Sequence, residues 1–194
     1  MNLLRAPKIG LVVLAASASA AALAEDKLSY DYIEAIYIDT EIDDRNFDVD
    51  GDGFGLSGSV SLNDNFFVNA GYGSQDFDGG VDVDQWSIGI GGHMPLSANT
   101  DLIGTVSYID AEVDSRFGSA DTDGYGLGIG VRSRVYDNIE LQAGINYVDL
   151  DDGGDDTSFA LGGRYYFVEQ LSVGAGVEFA DNASSWNLGV RLDF

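Results

Sequence analysis

The sequence predicts an all-β protein, and three features of its 194 residues support that fold class. Apolar residues alternate with polar or small residues over segments of about ten residues, as in strands with two different faces. Glycine occurs 26 times and proline only twice, which suits strands joined by tight turns. The segments are joined alternately by short and by longer connections. This arrangement is typical of an up-and-down antiparallel β-barrel.

Composition excludes several classes of site and partner. There are 9 basic and 33 acidic residues, so the formal charge of −24 repels nucleic acid. The absence of cysteine excludes disulfides and thiolate-bound metals, and a single histidine cannot form an imidazole cluster. Hydrophobic residues make up 45% of the chain, which argues against disorder. We expect one folded domain without a cofactor.

The first 24 residues predict an export signal. Arg5 and Lys8 give the start a positive charge, and an apolar stretch over residues 9–24 follows them. The stretch ends in the small-residue cleavage site Ala22-Leu23-Ala24. A membrane anchor is the alternative, but a spanning helix needs roughly 20 apolar residues. We therefore expect cleavage after Ala24 and a mature barrel domain of residues 25–194.

Ten strands follow the signal. The alternation places them at residues 28–39, 53–62, 66–75, 84–94, 101–111, 123–135, 139–149, 157–167, 171–180 and 185–194. Short turns are predicted at 63–65, 95–100, 136–138 and 168–170, and mostly longer acidic loops at 40–52, 76–83, 112–122, 150–156 and 181–184. An even strand number places both termini at the short-turn end, which is periplasmic in bacterial outer-membrane barrels.

The apolar faces are predicted to meet lipid. In a soluble sandwich or lipocalin-like barrel they would point inward instead. However, the polar faces are rich in glycine rather than in the charged residues of a solvated face, and aromatic residues gather towards the strand ends. Two aromatic girdles around an aliphatic band favour a transmembrane β-barrel.

The C-terminal strand resembles a known assembly signal. Apolar residues alternate up to a terminal phenylalanine, at Trp186, Leu188, Val190, Leu192 and Phe194. With the segments 30–34, 71–73, 82–89 and 123–125, this makes the chain similar to the small Gram-negative outer-membrane β-barrel-domain proteins, in particular short gammaproteobacterial barrels once linked to diffusible-signal regulation. The resemblance implies location in the outer membrane and insertion by the barrel-assembly machinery, with no settled activity. Many such barrels have eight strands, which is the alternative to ten.

The inward face carries a predicted charge network. Its members are Glu34, Arg132, Arg164, Glu178 and Arg191. A buried acid needs a partner, so we expect Glu34 to pair with at least one of Arg191, Arg164 and Arg132. Arg191 is favoured because barrel closure places the last strand beside the first. Such a network fits either a closed polar core or a narrow water-filled pore.

The acidic segments include one metal-like motif. Asp48, Asp50 and Asp52 begin a D-x-D-x-D-G pattern, but Ser59 stands where an EF-hand has its bidentate glutamate. Solvated, mutually repelling loops are therefore favoured. The alternative is weak Ca²⁺ or Mg²⁺ binding that bridges to lipopolysaccharide phosphates.

Enzymatic activity is not expected. The single histidine, His93, is predicted at the periplasmic end of a strand, as a residue of the lumen or rim. The favoured function is an integral outer-membrane protein with a structural or surface-interaction role, and the alternative is a narrow diffusion pore. Expected partners are membrane lipid, lipopolysaccharide and the assembly machinery. The oligomeric state stays open.

Overall fold

A computed structural model describes residues 28–44 and 47–194, which form antiparallel strands and their turns. The strands are β1 (Tyr32–Asp44), β2 (Phe47–Ser61), β3 (Phe66–Phe77), β4 (Val81–Ser97), β5 (Thr100–Ser115), β6 (Gly118–Tyr136), β7 (Ile139–Leu150), β8 (Gly154–Val168), β9 (Leu171–Phe179) and β10 (Ala183–Asp193). The predicted signal and its cleavage site lie outside the described residues. Within the described ranges, no helix is long and apolar enough to cross a membrane.

The strands close into a barrel. Each pairs with its neighbours in sequence, and β1 also pairs with β10, which aligns Glu34 with Arg191. The prediction of a ten-stranded all-β barrel is confirmed for the described chain, and the eight-stranded alternative is wrong. Both described chain ends lie at one end of the barrel, called here the terminus end. The opposite end is called the far end.

The predicted long acidic loops are wrong, because most of their residues belong to strands. Strands β1 and β2 stay paired across residues 40–52, with Asp39 opposite Asp52 and Asp43 opposite Asp48. The segments 76–83, 112–122, 150–156 and 181–184 likewise consist of strand ends around tight turns. Conversely, residues 28–31, which were predicted as strand, precede β1.

The outer face explains the apolar alternation. Side chains such as Leu56, Ile88 and Leu127 project outward and are about half exposed. Aromatic pairs border this band towards the far end, with ring centroids 5.6 Å apart for Tyr37 and Trp186, 5.5 Å for Trp86 and Tyr108, and 6.4 Å for Tyr125 and Tyr147. Tyr165 and Phe167 form a corresponding pair towards the terminus end. The arrangement matches an aliphatic band between two aromatic girdles.

Beyond the far girdle, the two faces exchange polarity. Acids now point outward, while Ile42, Phe77, Val83 and Ala183 point inward and form a buried cluster, called here the far-end seal. Gly51 lies directly against the Phe77 ring, where any larger residue would collide. This part of the barrel is packed like a soluble β-barrel, with an apolar interior and a charged surface.

Candidate functional site

The centre of the lumen holds an ion-pair cluster around Glu34. One oxygen of its carboxylate lies 2.6 Å from Nη2 of Arg191, and the other lies 2.5 Å from Nη2 of Arg164. Nε of Arg191 donates a further hydrogen bond of 3.0 Å. Barrel closure produces the first contact, because β1 and β10 place Glu34 and Arg191 directly opposite each other. The structure thus contains the pairing with Arg191 that the sequence led us to expect.

A second ion pair lies beside the first. Nη2 of Arg132 is 2.6 Å from Glu140, and both side chains are almost inaccessible to solvent. The hydroxyl of Tyr166 donates to the other oxygen of Glu140 at 3.2 Å, and Arg134 approaches it at 3.6 Å. Arg132 was one expected partner of Glu34, but the structure pairs it with Glu140 on the adjacent strand β7. Glu140 is not among the residues of the predicted network.

Glu178 stands apart from the arginines. Its carboxylate accepts a hydrogen bond from the hydroxyl of Ser158 on β8, and no arginine pairs with it among the described residues. It lines a cavity of about 140 Å³ whose wall also includes Glu34 and the arginines paired with Glu34 and Glu140. Many of the other wall residues are glycines, which leave this space open. The lumen therefore contains a polar chamber with an arginine-rich part and a separate acidic side chain.

The terminus end of the chamber is covered by residues 28–31, called here the N-terminal strap. Leu28 and Tyr30 are 3% and 1% exposed and pack with Phe67 and Ile103. The Tyr30 hydroxyl donates a 2.5 Å hydrogen bond to Asp101 on β5. Sequence reasoning missed this arrangement because Leu28 and Tyr30 continue the inward face of β1 with the same period of two.

His93 lies in the lumen at the terminus end. Its Nδ1 is 3.0 Å from a carboxylate oxygen of Asp101, and its ring stacks on Tyr30 with centroids 3.9 Å apart. The expected position at this end of the barrel matches the structure. Its contacts are those of a packed side chain that helps to fill the mouth.

The metal-like motif lies outside the lumen. Asp48, Asp50 and Asp52 project from the exposed face of β2, and each has an acid opposite it on β1. Alternate side chains of an extended strand are about 7 Å apart, so they cannot wrap one ion as an EF-hand loop does. In the described part of the chain, no group of three or more acidic or histidine side chains is arranged to hold a metal ion. A hydrogen bond with Asp43, together with its charge, raises the pKa of Asp48.

The predicted assembly-signal residues share one face of the last strand. Trp186, Leu188, Val190 and Leu192 on β10 and the adjacent Phe194 are all exposed on the outside of the barrel. They continue the apolar outer band to the end of the chain.

Comparisons with known proteins agree with this architecture. The family model for the outer membrane protein beta-barrel domain matches residues 10–194. Among solved structures, an outer membrane channel from Pseudomonas putida F1 is 11% identical, with coverage of 84% of this chain and 95% of that chain and a TM-score of 0.55. The beta domain of the Bordetella autotransporter BrkA is 14% identical, with 84% and 98% coverage and a TM-score of 0.52. At these identities the similarity concerns the fold. A search of curated proteins found no match.

Proposed function

Because the chain belongs to the outer membrane protein beta-barrel domain family, we propose that it is an integral outer-membrane barrel with a closed lumen and a structural or surface-interaction role. The observation that carries the proposal is that buried side chains occupy both ends of the lumen. The far-end seal fills one end, and Leu28, Tyr30 and Phe67 fill the other. The ion pairs of Glu34 and Glu140 occupy the space between them.

The proposed orientation places the far end outside the cell. Its outward acids, including Asp110, Glu112 and Asp121, then face the region of lipopolysaccharide head groups and the medium. In this arrangement the apolar band contacts membrane lipid, and the exposed face of β10 presents the assembly signal to the barrel-assembly machinery. Cleavage of the export signal after Ala24 belongs to the same proposal.

A narrow diffusion pore is the second candidate. The chamber of about 140 Å³, with its glycine-rich wall and paired charges, supports it. A pore would require both the far-end seal and the N-terminal strap to move aside, because their side chains are buried in the present conformation. A closed barrel needs no such rearrangement, so it is the favoured function.

Planar-bilayer recording separates the two candidates. Purified protein is first tested by gel migration before and after boiling, since a folded barrel has no free strand edge and resists detergent. We expect a preparation with that migration shift to give no unitary conductance steps. Reproducible steps from the shifted species would contradict the closed barrel, and recovery as a soluble protein without a shift would contradict the membrane location.

A further inference from the structure

The N-terminal strap is attached to the barrel in an unusual way. Residues 28–31 lie outside the strands, and among the described residues only Asp31 of this segment forms a backbone–backbone hydrogen bond with the rest of the barrel. Among the described residues, two hydrogen bonds connect residues 28–30 to the lumen wall. The Tyr30 hydroxyl donates to Asp101, and Nη1 of Arg132 donates to the Ser29 carbonyl at 3.2 Å. Segments with few backbone hydrogen bonds open at lower free energy than core strands.

Asp31 fixes the base of the strap. Its carboxylate accepts hydrogen bonds of 2.7 Å and 2.8 Å from the backbone amide and hydroxyl of Ser61 on β2. Its carbonyl accepts a 3.0 Å hydrogen bond from the backbone amide of Phe194. Asp31 therefore ties the strap to the strands on both sides of β1 and forms a fixed point about which residues 28–30 can turn.

Tyr30 is the main contact between the strap and the lumen. Its ring stacks on His93 and Phe67, with centroids 3.9 Å and 5.4 Å away, and the Arg132 guanidinium lies 5.4 Å from the ring. With its hydroxyl bonded to Asp101, this one side chain closes the mouth with both apolar and polar contacts. Leu28 adds apolar packing beside it.

We infer that residues 28–30 form a releasable plug, held by Tyr30 on Asp101 and hinged at Asp31, which controls access from the terminus end to the polar chamber. This inference rests on the proposed closed lumen and adds the means by which one end is closed. Release would expose the chamber to small polar solutes on that side. The far-end seal, which shares no residue with the strap, would still separate the chamber from the other side.

Thiol labelling tests the plug, because the chain contains no cysteine. Ser57 lines the chamber, so a Ser57→Cys variant in proteoliposomes reports access when a small charged methanethiosulfonate is added from the terminus end. An Ala98→Cys variant, at an exposed turn of the same end, gives the rate for an open position. We expect the Ser57→Cys thiol to react far more slowly than the Ala98→Cys thiol.

Adding Tyr30→Phe to the Ser57→Cys variant removes the hydroxyl that donates to Asp101 but keeps the aromatic ring. Loss of a hydrogen bond to a charged group shifts an equilibrium by about tenfold or more, so labelling of the Ser57→Cys thiol should accelerate by that factor. Tyr30→Ala, which also removes the stacking, should accelerate it further. The matched control is Tyr125→Phe, which removes a 2.9 Å tyrosine–aspartate bond on the outside of the barrel and should change nothing.

The plug is refuted if neither Tyr30 variant changes the labelling rate while both keep the gel shift of a folded barrel. It is also refuted if the Ser57→Cys thiol with an intact strap already reacts as fast as the Ala98→Cys thiol. Planar-bilayer recording distinguishes failure of the plug from failure of the proposed function. The closed barrel fails only if the unaltered chain conducts ions. If the unaltered chain does not conduct and the Tyr30 variants leave the labelling rate of the Ser57→Cys thiol unchanged, the plug alone is refuted.

Discussion

Replacing Glu34 with glutamine tests the energetic role of the central ion pairs. The substitution keeps the shape of the side chain but removes the charge that faces Arg164 at 2.5 Å and Arg191 at 2.6 Å. Arg164 and Arg191 are 8% and 2% exposed, so water cannot replace the lost partner. Removing one member of a buried ion pair costs about 3–5 kcal/mol, and the remaining amide oxygen can still accept one hydrogen bond. We therefore expect a loss of about 3 kcal/mol in the free energy of unfolding.

The measurement is urea unfolding in lipid vesicles, followed by tryptophan fluorescence and by the gel shift. Glu178→Gln is the matched control, because this lumen carboxylate has a hydroxyl partner and no paired arginine among the described residues. It should cost less than about 1 kcal/mol, because the amide oxygen of glutamine can still accept the Ser158 hydrogen bond and no arginine among the described residues loses its ion-pair partner. Equal losses for the two variants, or a loss below about 1 kcal/mol for Glu34→Gln, would refute the reasoning.

Three further predictions concern the outer surface. Ile88→Arg, which places a charge in the apolar band, should reduce folding stability by about 2–4 kcal/mol and much more than Ser87→Arg on the lumen side, as measured by folding yield in vesicles. Equal yields would mean that the two faces are wrongly assigned. The raised pKa of Asp48, caused by Asp43, means that the folded state holds this proton more tightly than the unfolded state. Acidification from neutral pH towards the ordinary aspartate pKa of 3.8 should therefore raise the hydrogen-exchange protection factors at the far end of β1 and β2, after correction for the intrinsic pH dependence of exchange. Asp48→Asn should weaken this increase. Calorimetry should give Ca²⁺ affinities no tighter than about 10⁻⁴–10⁻³ M, whereas micromolar binding that is lost in Asp50→Asn would contradict the extended-strand geometry.

The strand count and the membrane-facing surface could be predicted from local sequence. Alternate residues of a strand point to opposite faces, so Leu56, Ile88 and Leu127 had to share the outside if the segments were strands. Closure of an even-numbered barrel then placed Glu34 beside Arg191, which is a consequence of topology that needs no knowledge of side-chain packing. These features depend on neighbours in sequence or on strand order.

The strand segments at the far end could not be recognised from the local alternation of apolar and polar residues. Their alternation continues beyond the aromatic girdle, but acids take the outward positions and apolar residues such as Ile42 and Val83 take the inward ones. Read locally, this reversal, with its acidic and glycine-rich composition, predicts loops. Only the paired register of Asp39 with Asp52 and Asp43 with Asp48 identifies the segments as continuous strands.

Within the apolar band, the sequence by itself determined which side chains face the lumen, and the tertiary structure decided which of them meet. Arginine stems are long enough to reach several carboxylates, so the choice of Glu140 for Arg132 depends on strand register and on the space that the other side chains leave. The N-terminal strap is a similar case. The alternation places Tyr30 on the inward side both if residues 28–31 continue β1 and if they turn into the lumen, so it cannot distinguish the two. The position of Tyr30 is fixed by Asp101, 71 residues away in the chain, and such a contact has no local signature. The period of two in a strand determines whether a side chain points into the lumen or outward. Which side chains contact each other across a closed barrel depends on distances that are set only when all the strands are in place.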